Sequence, residues 1–220
     1  INTVIGHLWH GIHGAHFKRM HGEDPYPRIY GLIDQHADHY HWDTGEAWSD
    51  VRKIGVTESS SHKGGGHAHV GMMIYQGANW PKQYRGKVFT LNLHGHRINV
   101  DRIDREGSGY VGRHEPDFMK TDDPWFRGIE LSYGPDGGVY VLDWSDIGEC
   151  HDADGVHRTS GRIYKITYGD PVKPKETELT KLTDEELVKL QLSENEWLVR
   201  MARWELRERA IGGKLTAAGM

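Results

Sequence analysis

The chain predicts a mainly β fold of repeated sheets followed by a short α-helical segment, and three observations carry that reading. The runs Lys87-Val-Phe-Thr-Leu-Asn92, Gly138-Val-Tyr-Val-Leu-Asp143 and Arg162-Ile-Tyr-Lys-Ile-Thr167 are rich in β-branched and aromatic residues and are bounded by Gly, Asp and Pro clusters. Two of them sit at equivalent places in an internal repeat. All 16 histidines fall between His7 and His157, whereas residues 170–211 hold neither Gly nor His and carry helix-start signals instead.

In chain order, Arg28-Ile-Tyr-Gly-Leu-Ile33 is a candidate strand of an incomplete first unit. Gly71-Met-Met-Ile-Tyr-Gln-Gly77 then aligns with Gly128-Ile-Glu-Leu-Ser-Tyr-Gly134, and each is followed by a strand ending in Leu91-Asn92 or Leu142-Asp143. A third pair is looser, Arg97-Ile-Asn-Val100 against Arg162-Ile-Tyr-Lys165. A four-stranded unit recurring every 40 to 50 residues or so, plus insertions, is the signature of a β-propeller blade. Two blades cannot close a ring, so the chain is expected to be a piece of a longer protein holding closing blades, with the others upstream. Such an open edge is expected to drive association of the isolated chain. The aspartate at a strand end, Asp143, is expected to tie turns together by accepting backbone N–H groups.

Pro171-Val-Lys-Pro174 reads as a stiff linker, which divides the chain into blades over 1–169, a linker over 170–178 and a helical segment over 179–220. Thr183-Asp-Glu-Glu186 and Ser193-Glu-Asn-Glu196 are two capping boxes and predict two helices. In the second helix Trp197, Met201 and Trp204, joined by Leu198 and Ala202, form an apolar stripe expected to pack inward, opposite Arg200, Arg203 and Arg207.

Composition narrows the function. The 220 residues are 36% hydrophobic, with a formal net charge of -5 and a pI near 6.3. That charge argues against nucleic acid as a partner, since a phosphate-backbone binder needs a concentrated basic face. No run approaches the roughly 18–20 apolar residues of a membrane span, and Ile1-Asn2-Thr3-Val4-Ile5-Gly6 lacks the basic region of a signal peptide. Cys150 is the lone cysteine, which excludes an internal disulfide and a CxxC pair.

Gly71-Met-Met-Ile-Tyr-Gln-Gly77, Trp80-Pro-Lys-Gln-Tyr-Arg-Gly-Lys-Val-Phe89, and Trp125-Phe-Arg-Gly128 followed by Gly134-Pro-Asp-Gly-Gly-Val-Tyr-Val-Leu-Asp-Trp144 are similar to the closing blades of glucose/sorbosone dehydrogenase-like propellers, a six-bladed quinoprotein fold. With Gly64-Gly-Gly-His-Ala-His69, Gly107-Ser-Gly-Tyr110, Gly148-Glu-Cys-His-Asp152 and Ser160-Gly-Arg-Ile-Tyr164, the chain more closely resembles the membrane-bound dehydrogenase propellers of planctomycetes and verrucomicrobia, from about His7 to Gly169. The resemblance implies HEAT-like helical repeats after the propeller, and then a cytochrome c domain whose CxxCH motif this chain lacks. It also implies an exported or periplasmic oxidoreductase that oxidises a sugar or other alcohol with pyrroloquinoline quinone and calcium, passing electrons to a haem partner. Paired arginines face the quinone in that group. Here Arg127, beside Trp125, stands at a comparable place, although its spacing to Gly134-Pro-Asp-Gly137 is two residues longer than the pattern.

The residues themselves offer further chemistry. His67 and His69 alternate with Ala68, so in an extended segment both imidazoles share one face behind Gly64-Gly65-Gly66, as candidate catalytic groups at a channel mouth. With Cys150, His151 and Asp152 from a loop of the next blade they make a candidate transition-metal set; the other reading is a hydrogen-bonded channel lining. Arg127 is a carboxylate clamp for a cofactor or a clasp stacked on Trp125. Competing with the oxidoreductase are a non-catalytic propeller scaffold that binds carbohydrate or protein, and a histidine-based metal enzyme.

Overall fold

The computed structural model describes Leu8, His13, Gly14, residues 69–107 and 109–148, Gly155, His157 and residues 159–216. These form seven strands in two antiparallel sheets, followed by two helices. The first sheet runs β1 (His69–Ile74), β2 (Val88–Asn92), β3 (Arg97–Glu106), β4 (Gly109–Lys120) in sequential order, and the second runs β5 (Gly128–Tyr133), β6 (Val139–Asp143), β7 (Arg162–Ile166). The three predicted β runs are β2, β6 and β7, and the repeat aligns β1 with β5 and β2 with β6. The helices are α1 (Asp184–Lys189) and α2 (Glu196–Ile211). None of the described helices is long and apolar enough to cross a membrane.

Two compact units result, Ile1–Met72 with Val88–Arg127, and Met73–Lys87 with Gly128–Met220. In the first, β2 is buried at all five positions, and β3 is buried from Arg97 to Asp101. Ile98 and Val100 point to one face of β3 with Phe89 and Leu91 of β2 as register partners or neighbours. The opposite face carries Arg97, Asn99 and Asp101 beside Asn92 and Thr90. A sheet buried on both sides is ordinary; one buried with a polar row is not. The β3–β4 ladder shifts register between Ile98 and Val100.

The second unit is organised around Tyr75, which is fully buried. Its phenol oxygen accepts hydrogen bonds from the backbone N–H groups of Asn79 (3.0 Å) and Trp80 (2.7 Å) and donates to the Gly137 carbonyl (2.9 Å). The ring stacks on Trp80 at 4.6 Å and meets Tyr133 edge-on at 5.6 Å. Trp80 donates its indole N–H to the Ile166 carbonyl, and the Asn79 amide brackets the backbone of Tyr168. Gly137 closes the β5–β6 turn at φ +77°, and a Cβ there would lie 2.6 Å from the Asn79 nitrogen, so both conformation and space demand glycine.

The helical segment packs on this same turn. Asn195 caps α2 by accepting from the Trp197 N–H (3.1 Å), while its Nδ2 donates to the carbonyls of Gly134 (3.1 Å) and Pro135 (2.9 Å). The Glu196 N–H reaches the Gln76 carbonyl, Arg85 Nη1 reaches those of Gln76, Gly77 and Glu194, and the Arg200 guanidinium lies over Tyr133. The first predicted capping box is present in both halves at Thr183 and Glu186. The second needs correction. Ser193 accepts from the Asn195 N–H, and the cap moves two residues on to Asn195, whose carboxamide can cap and donate outward at once.

The expected apolar stripe is corrected as well. The helical core is Leu179, Leu187 and Ala202 with Leu182, Leu190, Leu198 and Leu206 against it, whereas Trp204 is 61% exposed and Met201 also faces outward. With Asn195 pinned to the β5–β6 turn, the face bearing Val199 and Ala202 is the one turned inward.

Beside α1 a cleft of 690 Å³ is lined by Asp184, Glu205, Glu208, Arg209 and Lys214. Its central carboxylate is already committed. Asp184 accepts from both the N–H and the hydroxyl of Thr216 and from Arg209 Nη1, all at 2.7 Å. The Thr216 bonds, then Arg209, pull its carboxyl down to about 2. A lowered carboxyl contributes stability that is present above the unfolded aspartate range and lost as pH falls through the folded value. The melting temperature is therefore expected to fall between about pH 4 and pH 2, and Asp184→Asn is expected to lower it at neutral pH and flatten that acid limb. A thermal-melt series against pH in both proteins checks this.

Candidate functional site

Of the sequence-predicted site residues, His69, Trp125 and Arg127 lie in the described structure; His67, Cys150, His151 and Asp152 lie outside the described residues. His69 opens β1 and is 1% exposed. Its Nε2 is 3.2 Å from Asn92 Nδ2. The Asn92 amide is oriented by its other end, because Oδ1 accepts the Gly95 N–H at 2.7 Å. Nδ2 is then the donor toward His69, so Nε2 is an acceptor and a neutral ring carries its hydrogen on Nδ1. Gly95 permits this arrangement, since a Cβ there would sit 2.7 Å from Asn92 Cγ.

Arg127 precedes β5 and is 2% exposed. Its Nη1 donates to His96 Nε2 (2.8 Å) and to the Phe126 carbonyl (2.9 Å). A guanidinium has no lone pair to offer, so His96 Nε2 must accept. The hydrogen of a neutral His96 ring is then on Nδ1, facing the Asp123 carbonyl at 3.2 Å. His96 holds this place with φ +50°, a left-handed conformation uncommon for a side-chain-bearing residue. Asp123 accepts the Trp125 N–H on Oδ1 (2.9 Å), setting the half-buried indole beside the Arg127 segment. The structure thus joins Arg127, His96, Asp123 and Trp125 within the first unit.

Sequence reading missed His96. The available signals were its place after the Gly95 turn and the tolerance of histidine for left-handed backbone. The equivalent strand ends behave alike: Asn92 accepts from Gly95, while Asp143 accepts the Ser145 N–H (2.8 Å) and Arg162 Nε (2.7 Å). The expected turn-tying role of Asp143 is what the structure contains. Among the described residues no group of three or more His, Cys, Asp or Glu side chains is arranged to hold a metal ion.

These features define a class, a mainly β protein of repeated antiparallel sheets whose strand ends carry side-chain acceptors and whose second unit includes a helical pair. The chain belongs to the family described as domain of unknown function DUF7133, whose model matches residues 33–170. No curated protein and no solved structure matches the chain.

Proposed function

We propose that the chain is the closing part of a β-propeller oxidoreductase that oxidises a sugar or other alcohol and passes electrons to a haem-bearing partner in an exported, periplasmic setting. The observation that carries this reading is the buried Arg127 at the entry to β5, fixed by His96 and set beside Trp125. The repeat-matched sheets, followed by a helical pair, support the propeller setting. A quinone, when bound, supplies the two-electron acceptor for such an oxidation. Of the paired arginines expected to face it, the described residues offer only Arg127, and its Nη1 already serves His96 and Phe126. With one arginine where the pattern has two, these residues alone do not make a paired-arginine cradle, and Arg127 is read as a fixed positive charge behind the site. His69 is read likewise as a positioning group, because the lone pair on Nε2 serves Asn92 and is not offered to a metal.

The test is dye reduction by the natural protein containing this chain, loaded with pyrroloquinoline quinone and calcium, across a panel of sugars and alcohols. Turnover is expected, with Arg127→Gln lowering kcat/KM about tenfold or more while a parallel melt reports folding. No turnover with quinone or with transition metals would sink the oxidoreductase.

A second reading is a binding scaffold for carbohydrate or protein, favoured by the enclosure of His69 and Arg127 and by the outward face of the second sheet. There Tyr140 and Leu142 of β6 lie beside Ile163 of β7, which is 72% exposed. Glycan-array binding without turnover would select it.

A further inference from the structure

Where the polar row of β3 meets β4, two carboxylates, Asp101 of β3 and Asp117 of β4, flank the imidazole of His114, and the two are treated very differently. Asp117 of β4 accepts from Arg97 Nη1 and from Asn99 Nδ2, each at 2.6 Å, with Lys120 Nζ at 3.6 Å. Its charge is matched. Asp101, register partner of His114 across the β3–β4 ladder, is 0% exposed, and neither of its oxygens accepts a hydrogen bond among the described residues. The His114 ring lies between them, Nδ1 3.4 Å from Asp101 Oδ1 and Nε2 3.6 Å from Asp117 Oδ1. Across β2 the facing residues are Val88 and Thr90, which carry no charge. Among the described residues the further charged groups acting on Asp101 include Glu115 and Asp117 on β4, both of which oppose a second negative charge, while Arg97 of the same strand is engaged by Asp117.

A buried ionised carboxylate that accepts no hydrogen bond is among the costliest arrangements a fold can hold, and a proton relieves it. We propose that Asp101 and His114 form a buried proton-binding site that holds two protons and no net charge, one of them held between Oδ1 and Nδ1. Moving that proton breaks one O–H bond and forms one N–H bond, and the pair stays neutral in both positions. The second proton is on Nε2, facing the Asp117 carboxylate. The count belongs to the pair, and because buried Asp101 accepts no hydrogen bond the shared proton is placed on its Oδ1, the position that a carbon-13 titration reads. Burial, the leading cause, pushes the Asp101 carboxyl up, partly offset by His114. A raised carboxyl contributes stability that is full below the unfolded aspartate range and lost as pH rises through the folded value.

The full chain labelled with carbon-13 at the aspartate Cγ tests this by nuclear magnetic resonance titration. One resonance, absent from Asp101→Asn, is expected to titrate above the ordinary aspartate range, and the variant is expected to match or exceed the parent in stability at neutral pH. A resonance for Asp101 that titrates with the ordinary aspartates, or a variant destabilised at neutral pH and not in acid, overturns the site. Should Asp101→Asn fail to fold, the labelled parent still decides, because ordinary titration of every aspartate would overturn it too.

Discussion

Tyr75→Phe is expected to lower the stability of the second unit by about 3 kcal/mol, from three hydrogen bonds at about 1 kcal/mol each. The change removes one oxygen and almost no volume, so the ring keeps its stack on Trp80 and its edge contact with Tyr133. What remains is two backbone N–H donors, Asn79 and Trp80, and the Gly137 carbonyl, all assembled around an oxygen that is gone. Buried groups deprived of their partner cost more than the bond was worth, which is why phenylalanine is not a neutral replacement here. Urea denaturation of the full chain measures it, as a lower midpoint with an unchanged slope. A shift under about 0.5 kcal/mol would mean that water satisfies all three groups.

Asn195→Ala is expected to cost about 2 to 3 kcal/mol, because one side chain performs two jobs. The cap accounts for about 1 kcal/mol and the bonds to the Gly134 and Pro135 carbonyls for the rest. Asn195→Asp separates them. Aspartate caps as well as asparagine and suits the positive end of α2, yet it brings no donor and sets a carboxylate against two carbonyl oxygens. Stability is therefore expected to stay well below the parent in both variants, measured by the same urea titration. Full recovery in Asn195→Asp would show that only the cap matters and that the helical pair is not anchored to the turn.

Much of the β architecture was legible because strand propensity and turn residues coincide in β2, β6 and β7, and because Leu91-Asn92 and Leu142-Asp143 mark equivalent strand ends. β4 was not legible in the same way. Its twelve residues include Arg113, His114, Glu115, Asp117 and Lys120, a charge density that reads as loop until Arg97, Asn99 and Asp101 supply partners from the adjacent strand. Hydropathy registers each side chain alone, whereas burial of this sheet rests on pairing. Met201 and Trp204 misled for a related reason, since spacing defines an apolar stripe without saying which face the cap turns inward. At the candidate site, Arg127 and His69 stood out as residue types able to do chemistry. Their hydrogen-bond states depended on His96 and Asn92, whose influence comes from geometry around the Gly95 turn.

The excursion of residues 73–87 also bears on the order in which the protein is made. Tyr75 waits 62 residues for Gly137, Asn79 waits 89 for Tyr168, and Arg85 waits 109 for Glu194. Until the later residues have been synthesised, the Tyr75 phenol lacks its acceptor at Gly137, the Trp80 indole lacks the Ile166 carbonyl, and the Arg85 guanidinium lacks the Glu194 carbonyl. Closing loops of that length is slow relative to forming a local hairpin, so β2–β4 can pair early while the second unit completes late. A nascent chain stopped before Asn195 would hold β5–β7 without the helix start that satisfies the Gly134 and Pro135 carbonyls.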